Sequence, residues 1–170
     1  MKKVIWGVLS TAKIGRERVL PGMLKSSLLE IRAIASRDEA RARTTADALG
    51  IPRAYGSYEA LLADPEIEAI YNPLPNHLHV PLTLQAATAG KHVLCEKPIA
   101  LTADEATQLR AAAGKVLIAE AFMVRFHPQW LRARELVRDG RIGTLRAVQM
   151  FFGYNNLDPA NVRNKADIGG

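Results

Sequence analysis

An acidic and a basic side chain stand next to each other in the segment HVLCEKPIA. Glu96 and Lys97 directly follow a short apolar run, and Pro98 restricts the backbone after them. Because burying a charge is costly unless the charge is paired or used, this pair favours chemistry over packing. Lys97 is predicted to donate a proton or a hydrogen bond to a reacting oxygen. Glu96 is predicted to orient a ribose or Lys97 itself, and the alternative is a surface ion pair at the end of a strand.

Near the amino terminus, the apolar run VIWGVL leads into a turn of small residues and then a helical pattern. Turns that bind dinucleotides usually read G-x-G-x-x-G, whereas the frame here is Ser10-Thr11-Ala12-Lys13-Ile14-Gly15. Ser10 and Ala12 are small enough for a looser turn, and Gly15 keeps the position at which helix and strand pack closely. By itself the stretch fits a plain strand–helix turn equally well. Its place after the first strand favours a phosphate-binding turn, because a helix N-terminus stabilises anions.

The second apolar run ends in a hydroxyl and a guanidinium. Ser36 and Arg37 follow that run, and Arg41 comes one helical turn later. Sites for NAD usually place an acidic residue here to bind the ribose 2′-OH, whereas sites for NADP use arginine. Asp38 is one residue late for that role and is predicted to cap the next helix. The pattern predicts NADP rather than NAD, and the alternative is that both arginines are solvated surface charges.

The loop YNPLPNHLHVP leaves the end of the fourth predicted strand, where open α/β sheets bind ligands. Two prolines stiffen the loop, and Asn76, His77 and His79 follow them. Both histidines are of a metal-ligand type, but no third ligand stands at zinc spacing, so no metal site is predicted. His79 at the start of a helix is predicted to hydrogen-bond either the backbone or a cofactor. Asn76 is suited to bind a carboxamide.

Short apolar runs alternate with helical patterns through residue 122. The runs predict strands at residues 4–9, 29–36, 54–55 and 69–71 and two more from His92 and Lys115 onward. Such alternation is typical of right-handed βαβ units on a parallel sheet. The sequence therefore predicts an α/β fold, a Rossmann-type doubly wound parallel sheet, over residues 1–122.

The pattern changes from residue 123 onward. HPQWLRARELVRDGRIG predicts an amphipathic helix, and TLRAVQMFFGY alternates like a strand with one buried face. Residues 123–170 are therefore predicted to begin an α+β domain with a mainly antiparallel sheet. Because the sequence reaches Gly170 after one helix and one strand, this domain is predicted to be incomplete.

Composition limits the class of protein and its partners. The 170 residues are 48% hydrophobic and 24% charged, with a formal net charge of +6. The basic residues are dispersed among acidic ones, without the basic stripe typical of nucleic-acid binding. A lone cysteine, Cys95, fits a reducing compartment. No segment approaches the roughly 20 apolar residues of a membrane helix, so a cytoplasmic protein without nucleic-acid or membrane partners is predicted.

Taken together, these motifs resemble the Gfo/Idh/MocA oxidoreductases. The resemblance rests on GVLSTAKIG, the SR after the second strand, NPLPNHLH, CEKP and AEAFMVRFHPQ, and it runs the whole length of the chain. It is closest to the branch that contains dihydrodiol dehydrogenase and NADP-dependent xylose dehydrogenase. The first turn departs from that family's commoner G-x-G-x-x-A/G. The resemblance implies a Rossmann domain followed by a domain on a large open antiparallel sheet, with the substrate between them.

The resemblance also implies roles for particular residues. Lys97 would lie near the nicotinamide and the reacting oxygen, with the bond between Lys97 and Pro98 often cis. Pyrophosphate would bind at the first turn, the adenosine phosphate after the second strand, and the nicotinamide half beside the loop after the fourth. Cofactor contacts are expected at Ser10, Thr11, Ala12, Ile14, Ser36, Arg37, Arg41, Leu74, Asn76, His79, Glu96, Lys97, Arg125 and Arg163. A second catalytic residue, His or Tyr, is expected beyond Gly170.

The function so implied is hydride transfer between NADP and a secondary alcohol of a sugar, a polyol or a trans-diol. A homo-oligomer is expected for the full-length protein. The alternative function is a non-catalytic NAD(P)-binding regulator or scaffold of the same fold, which the intact Lys97 disfavours. A third hypothesis, a nucleic-acid-binding domain, predicts salt-sensitive DNA binding that NADP does not compete away.

Overall fold

The computed structural model describes residues 2–168 and contains one six-stranded sheet. All neighbouring strands in the order β3-β2-β1-β4-β5-β6 pair in parallel. The order runs outward from β1 in both directions, so it reverses between β1 and β4, as in doubly wound sheets that bind dinucleotides. The predicted fold over this part of the chain is confirmed. The strands are β1 (Val4–Leu9), β2 (Leu29–Ala35), β3 (Arg53–Tyr55), β4 (Ala69–Asn72), β5 (His92–Cys95) and β6 (Ile118–Glu120).

Helices connect the strands, and polar side chains cap three of the helices. The helices are α1 (Leu20–Met23), which continues a π-helix at Gly15–Val19, α2 (Glu39–Leu49), α3 (Tyr58–Leu62), α4 (His79–Thr88), α5 (Ala103–Arg110) and α6 (Pro128–Arg138). Asp38 accepts from the first turn of α2, Ser57 from that of α3, and Thr102 from that of α5. Gly50 ends α2 with a φ of 67°, a left-handed conformation suited to glycine.

Buried side chains alternate between the two faces of the sheet. Leu9 and Ile70 belong to one apolar cluster, whereas their neighbours Val8 and Tyr71 belong to the other. All four are fully buried. A strand covered on both faces needs such residues in an unbroken run, which explains why the strands read as apolar rather than alternating. The central strands are thereby held rigidly enough to position loops at their ends.

The edge of the sheet at which β4 and β5 begin is held by buried polar groups, and we call it the amino edge. The Nζ of Lys91 donates to the carbonyl oxygens of Asp64 (2.7 Å) and Ile67 (2.8 Å), and burial lowers the pKa of Lys91. The buried Asp64 carboxylate accepts from Arg53 Nη1 at 2.9 Å and from the Tyr55 hydroxyl at 2.8 Å. These bonds tie the connection after α3 to β3 and to the start of β5.

Two predictions of local structure were wrong. Thr102 and Glu105 form a capping-box pattern that predicts a helix ending at Gly114, whereas the helix ends at Arg110. The strand expected in TLRAVQMFFGY does not form, and Phe151 and Phe152 are 96% and 83% exposed. A strand exists only with a hydrogen-bonding partner, and no segment within residues 2–168 pairs with this one. The helix α6 is confirmed, and the assignment of residues 123–170 to a second domain stays a prediction.

In the part of the chain that the structure describes, no helix combines the length and the apolar character needed to cross a bilayer.

Candidate dinucleotide site

The register of the sheet gathers most of the predicted site residues along one edge, at the carboxyl ends of the strands. Leu9 pairs with Ala35, so the turn after β1 lies beside the residues that follow β2. Asn72 pairs with Cys95, so the loop after β4 lies beside Glu96. Parallel sheets bind ligands in the crevice outside this edge, where the strand order reverses. We call this edge the carboxyl edge.

The turn after β1 uses a serine where the usual fingerprint has glycine. Ser10 has a φ of 94°, a conformation that residues with a side chain rarely adopt. Its N–H donates to the Ala35 carbonyl at 2.8 Å, and its Oγ accepts from the Ala12 N–H at 3.0 Å. The Arg16 Nε donates to the carbonyl of the buried Thr11 at 2.9 Å. Side-chain hydrogen bonds thus stabilise a turn conformation that glycine residues make possible in the usual fingerprint.

We expect the Ser10→Gly variant to be more stable than the Ser10→Ala variant by about 1 kcal/mol. Both variants lose the hydroxyl, so their difference isolates the cost of the positive φ at this position. Urea denaturation of the two purified variants measures the difference. Equal stability would show that the turn relaxes to an ordinary conformation once the hydroxyl is gone.

The glycine that close packing requires is not the one expected from the sequence. A Cβ on Gly15 would lie 3.6 Å from Tyr71 and 3.7 Å from Pro73, which is ordinary contact. A Cβ on Gly7, within β1, would lie 2.6 Å from Leu61 of α3. The close approach of helix and strand therefore depends on Gly7. Ile14, at the end of the turn, is 44% exposed.

The residues after β2 separate into a structural part and an exposed basic part. Ser36 is buried, and its Oγ accepts from the N–H of Asp38 at 3.2 Å. The Asp38 side chain accepts from the Arg41 N–H at 3.1 Å, which confirms its predicted capping role. The Arg37 and Arg41 side chains are exposed and enter no ion pair within residues 2–168. Two cations without an acidic partner among these residues thus remain at this corner of the carboxyl edge.

Tyr58, which the sequence analysis missed, belongs to the same corner. Burial raises the pKa of Tyr58, and hydrogen bonding and charge from the Arg37 guanidinium oppose that rise. The Tyr58 hydroxyl therefore lies beside Arg37. An aromatic residue one position after the Ser57 cap was the available signal, but nothing local connects it with a residue on another strand.

The loop after β4 is held by a buried amide. Asn72 is fully buried, and its Nδ2 donates to the His79 carbonyl at 3.3 Å and to Thr83 Oγ1 at 3.4 Å. Its Oδ1 accepts from the N–H of Leu74 at 3.3 Å. Leu74 is itself buried, whereas Asn76 is half-buried in a 3₁₀ turn at Asn76–Leu78. Asn72 was also missed, and its signal was a polar residue at the end of an otherwise apolar strand.

His79 bonds the backbone, which was one of its two predicted roles. The imidazole is 1% exposed, with Nε2 2.7 Å from the Leu74 carbonyl oxygen and Nδ1 2.6 Å from the Pro98 carbonyl oxygen. Each ring nitrogen therefore lies within hydrogen-bonding distance of a backbone carbonyl oxygen. These contacts confirm the backbone role, in which the ring holds two loops together, and a contact of His79 with a cofactor stays a prediction.

Glu96 is oriented by a buried tyrosine, and Lys97 remains exposed. The Tyr71 hydroxyl donates to Glu96 Oε1 at 2.8 Å, and the Lys97 N–H donates to Glu96 Oε2 at 3.3 Å. Burial and the adjacent carboxylate raise the pKa of Tyr71, so this phenol stays a donor. The bond between Lys97 and Pro98 is cis, as the resemblance implied. No ion pair of the described residues joins the Glu96 and Lys97 side chains, in contrast to the surface-pair alternative.

The two outlying arginines differ in their surroundings. Arg125 lies on a 3₁₀ turn shortly after β6 and lines a small open pocket with Trp130 and Arg134. Arg163 lies on a 3₁₀ turn whose hydrogen bonds join residues 156–165 to one another. The contact of Arg163 with a cofactor stays a prediction.

Comparison with known proteins agrees with this geometry. Residues 4–118 match the model of the family described as "Oxidoreductase family, NAD-binding Rossmann fold" (GFO_IDH_MocA). An NADP(+)-dependent D-xylose 1-dehydrogenase from Haloferax volcanii is 47% identical over 98% of the chain and 52% of its own length. An uncharacterized oxidoreductase from Rhizobium meliloti is 53% identical over the whole chain and 52% of its own length. The chain thus spans about half the length of these curated relatives.

A solved structure shows the same architecture. It is KijD10, a 3-ketoreductase from Actinomadura kijaniata in complex with TDP-benzene and NADP, with a TM-score of 0.77 and 35% identity. The match covers 82% of this chain and 44% of KijD10. The strand order and the family match over most of the chain lead to one conclusion. The chain belongs to the Gfo/Idh/MocA family of oxidoreductases with an NAD-binding Rossmann fold.

Proposed function

We propose that the complete protein is an NADP-dependent oxidoreductase. It transfers hydride between the cofactor and a secondary alcohol of a sugar, a polyol or a trans-diol. The observation that carries this proposal is the position of Lys97 at the end of β5, beside the point where the strand order reverses. The xylose dehydrogenase and ketoreductase named above support the same reaction class.

The residues along the carboxyl edge fit such a cofactor from end to end. The turn at Ser10, Thr11, Ala12 and Ile14 would hold the pyrophosphate at the start of a helix. Ser36, Arg37 and Arg41 would bind the adenosine phosphate, since guanidinium groups suit phosphate oxygens. The Glu96 carboxylate would accept from ribose hydroxyls. The loop with Leu74 and Asn76 would border the nicotinamide half, with Arg125 as a further contact.

The bound cofactor would supply the hydride chemistry, and the protein would supply position and proton control. Lys97 would hydrogen-bond the oxygen of the reacting alcohol and help to remove its proton, directly or by stabilising the alkoxide. Glu96, fixed by Tyr71, would keep the adjoining ribose in place. Each role requires only side chains that the carboxyl edge already presents.

We expect Arg37→Gln and Arg41→Gln each to weaken NADPH binding by about tenfold, with NADH binding changed by less than about twofold. The reason is that only NADPH carries the phosphate that these cations would bind. Fluorescence titration with both cofactors measures the effect. Arg43→Gln is the matched control, because Arg43 is on the same helix as Arg41 but bonds Asp47 and the carbonyl of Ile51.

Tighter binding of NADH than of NADPH by the unmodified protein would overturn the cofactor assignment. Binding of NADPH without turnover of any sugar, polyol or diol by the complete polypeptide would favour the regulator or scaffold instead. Homo-oligomer formation by the complete protein is part of the proposal, and light scattering of that protein tests it.

A further inference from the structure

The peptide group between Pro98 and Ile99 is held by side chains from two other parts of the fold. The Pro98 carbonyl oxygen lies 2.6 Å from His79 Nδ1. The Ile99 N–H donates to Glu120 Oε1 at 2.9 Å. His79 is the first residue of α4, and Glu120 is the last residue of β6. The peptide immediately after Lys97 is therefore bonded on both of its polar groups.

Both side chains are themselves anchored to the sheet. The other ring nitrogen of His79 lies 2.7 Å from the Leu74 carbonyl oxygen, so the ring is tied to the loop after β4. Glu120 pairs with Cys95 in the register of β5 and β6, and the Ala121 N–H donates to the Cys95 carbonyl at 2.7 Å. The segment after β5 is thus connected to the strand on either side of it.

We propose that His79 and Glu120 form a clamp on this peptide and that the clamp positions Lys97. The Lys97 side chain is exposed, and none of the ion pairs of residues 2–168 includes it. The position of its ammonium group is therefore set by the backbone from which the side chain extends. Both clamp residues are positioning residues, since they act through the backbone next to Lys97. The inference rests on the proposed function, in which Lys97 meets the reacting oxygen.

The clamp matters because catalysis is sensitive to small displacements. A shift of about 1 Å in a reacting group can cost roughly 10²-fold in rate. A carboxylate is also a stronger acceptor than a neutral amide of the same shape. We therefore expect both variants to lower turnover, and Glu120→Ala, which removes the acceptor, to lower it more than Glu120→Gln, which weakens it.

The test compares Glu120→Ala and Glu120→Gln with Glu105→Gln as the matched control. Glu105 makes the same kind of bond, since its Oε2 accepts from the Leu101 N–H at 2.9 Å, but it does so beyond the clamp. Amide hydrogen exchange should become at least about tenfold faster at Ile99 in Glu120→Ala, because the N–H loses its partner. Exchange at Ile99 should stay unchanged in Glu105→Gln.

Kinetics of the complete polypeptide provide the second measurement. We expect kcat to fall by roughly tenfold in Glu120→Ala and less in Glu120→Gln, with NADPH affinity within about twofold in both. We expect a His79→Gln variant likewise to have a lower kcat with little change in NADPH affinity. If that variant does not fold, Glu120→Ala and Glu120→Gln are sufficient for the test.

Two results separate failure of the clamp from failure of the proposed function. If Glu120→Ala has the same Ile99 exchange rate or the same kcat as the unmodified protein, the clamp is overturned. The role of Lys97 is then unaffected. Full turnover in Lys97→Met overturns both, because no reactive lysine would remain to be positioned.

Discussion

Replacing Lys97 with methionine is expected to lower turnover by about 10²- to 10⁴-fold, the usual range for loss of a positioned acid or base. Methionine keeps a similar length and apolar stem but cannot donate to an oxygen. NADPH affinity should change by less than about threefold, because this side chain would act on the alcohol and not on the phosphates. Steady-state assays of the complete polypeptide with sugars, polyols and diols measure the first effect, and fluorescence titration measures the second.

Lys115→Met is the control for this experiment. Lys115 is also exposed, but it lies in the turn between α5 and β6, away from the carboxyl edge. Its replacement should leave turnover and NADPH affinity unchanged. Equal turnover in the Lys97 variant and the unmodified protein would contradict the role given to Lys97, whatever the cofactor affinity.

Asp64→Ala is expected to lower the free energy of unfolding by about 3 kcal/mol at neutral pH. The Asp64 side chain is 4% exposed and binds Arg53, Tyr55 and the Glu66 N–H. Its removal leaves the Tyr55 hydroxyl without this acceptor in a half-buried position. Urea denaturation measures the loss, and Asp47→Ala is the control. Asp47 pairs with Arg43 but is 66% exposed, so its loss should cost less than about 0.5 kcal/mol.

The same residue predicts a dependence of stability on pH. Burial alone would raise the pKa of Asp64, but the Glu66 N–H, the Tyr55 hydroxyl and the Arg53 guanidinium outweigh it and hold the pKa below its usual value. The stabilisation is therefore present above the unfolded pKa of about 3.9 and is lost as pH falls through the lower folded pKa. Asp64→Asn should show a shallower loss of unfolding free energy below about pH 4. A slope equal to that of the unmodified protein would contradict this assignment.

Much of the fold was predictable because its signals are local. The apolar runs and the Asp38 cap are each read within a few residues, and both are confirmed. Parallel pairing then followed from the alternation of strands and helices. The prediction of a strand in TLRAVQMFFGY was wrong because strand formation is not a local property. It depends on pairing with a second segment, which the residues of the strand itself cannot specify.

The candidate site was predictable in its residue types but not in its contacts. Glu96 and Lys97 stood out as charges after an apolar strand, and their place at the carboxyl edge is as expected. The bond from Tyr71 to Glu96 joins residues 25 positions apart. The bond from Ile99 to Glu120 joins residues 21 apart. Such partners meet only because the strand register aligns them, and no local pattern encodes that register.

The buried Lys91 and Asp64 lie at the amino edge, whereas the proposed chemistry lies at the opposite margin of the sheet. The groups that stabilise the sheet and the groups proposed to react therefore lie at opposite edges of it. Mutations at the two edges are expected to have nearly additive effects on stability, because distant sites that share no partners act independently. Substitutions in the loops after β4 and β5 therefore leave in place the buried hydrogen bonds of Lys91 and Asp64 at the opposite margin.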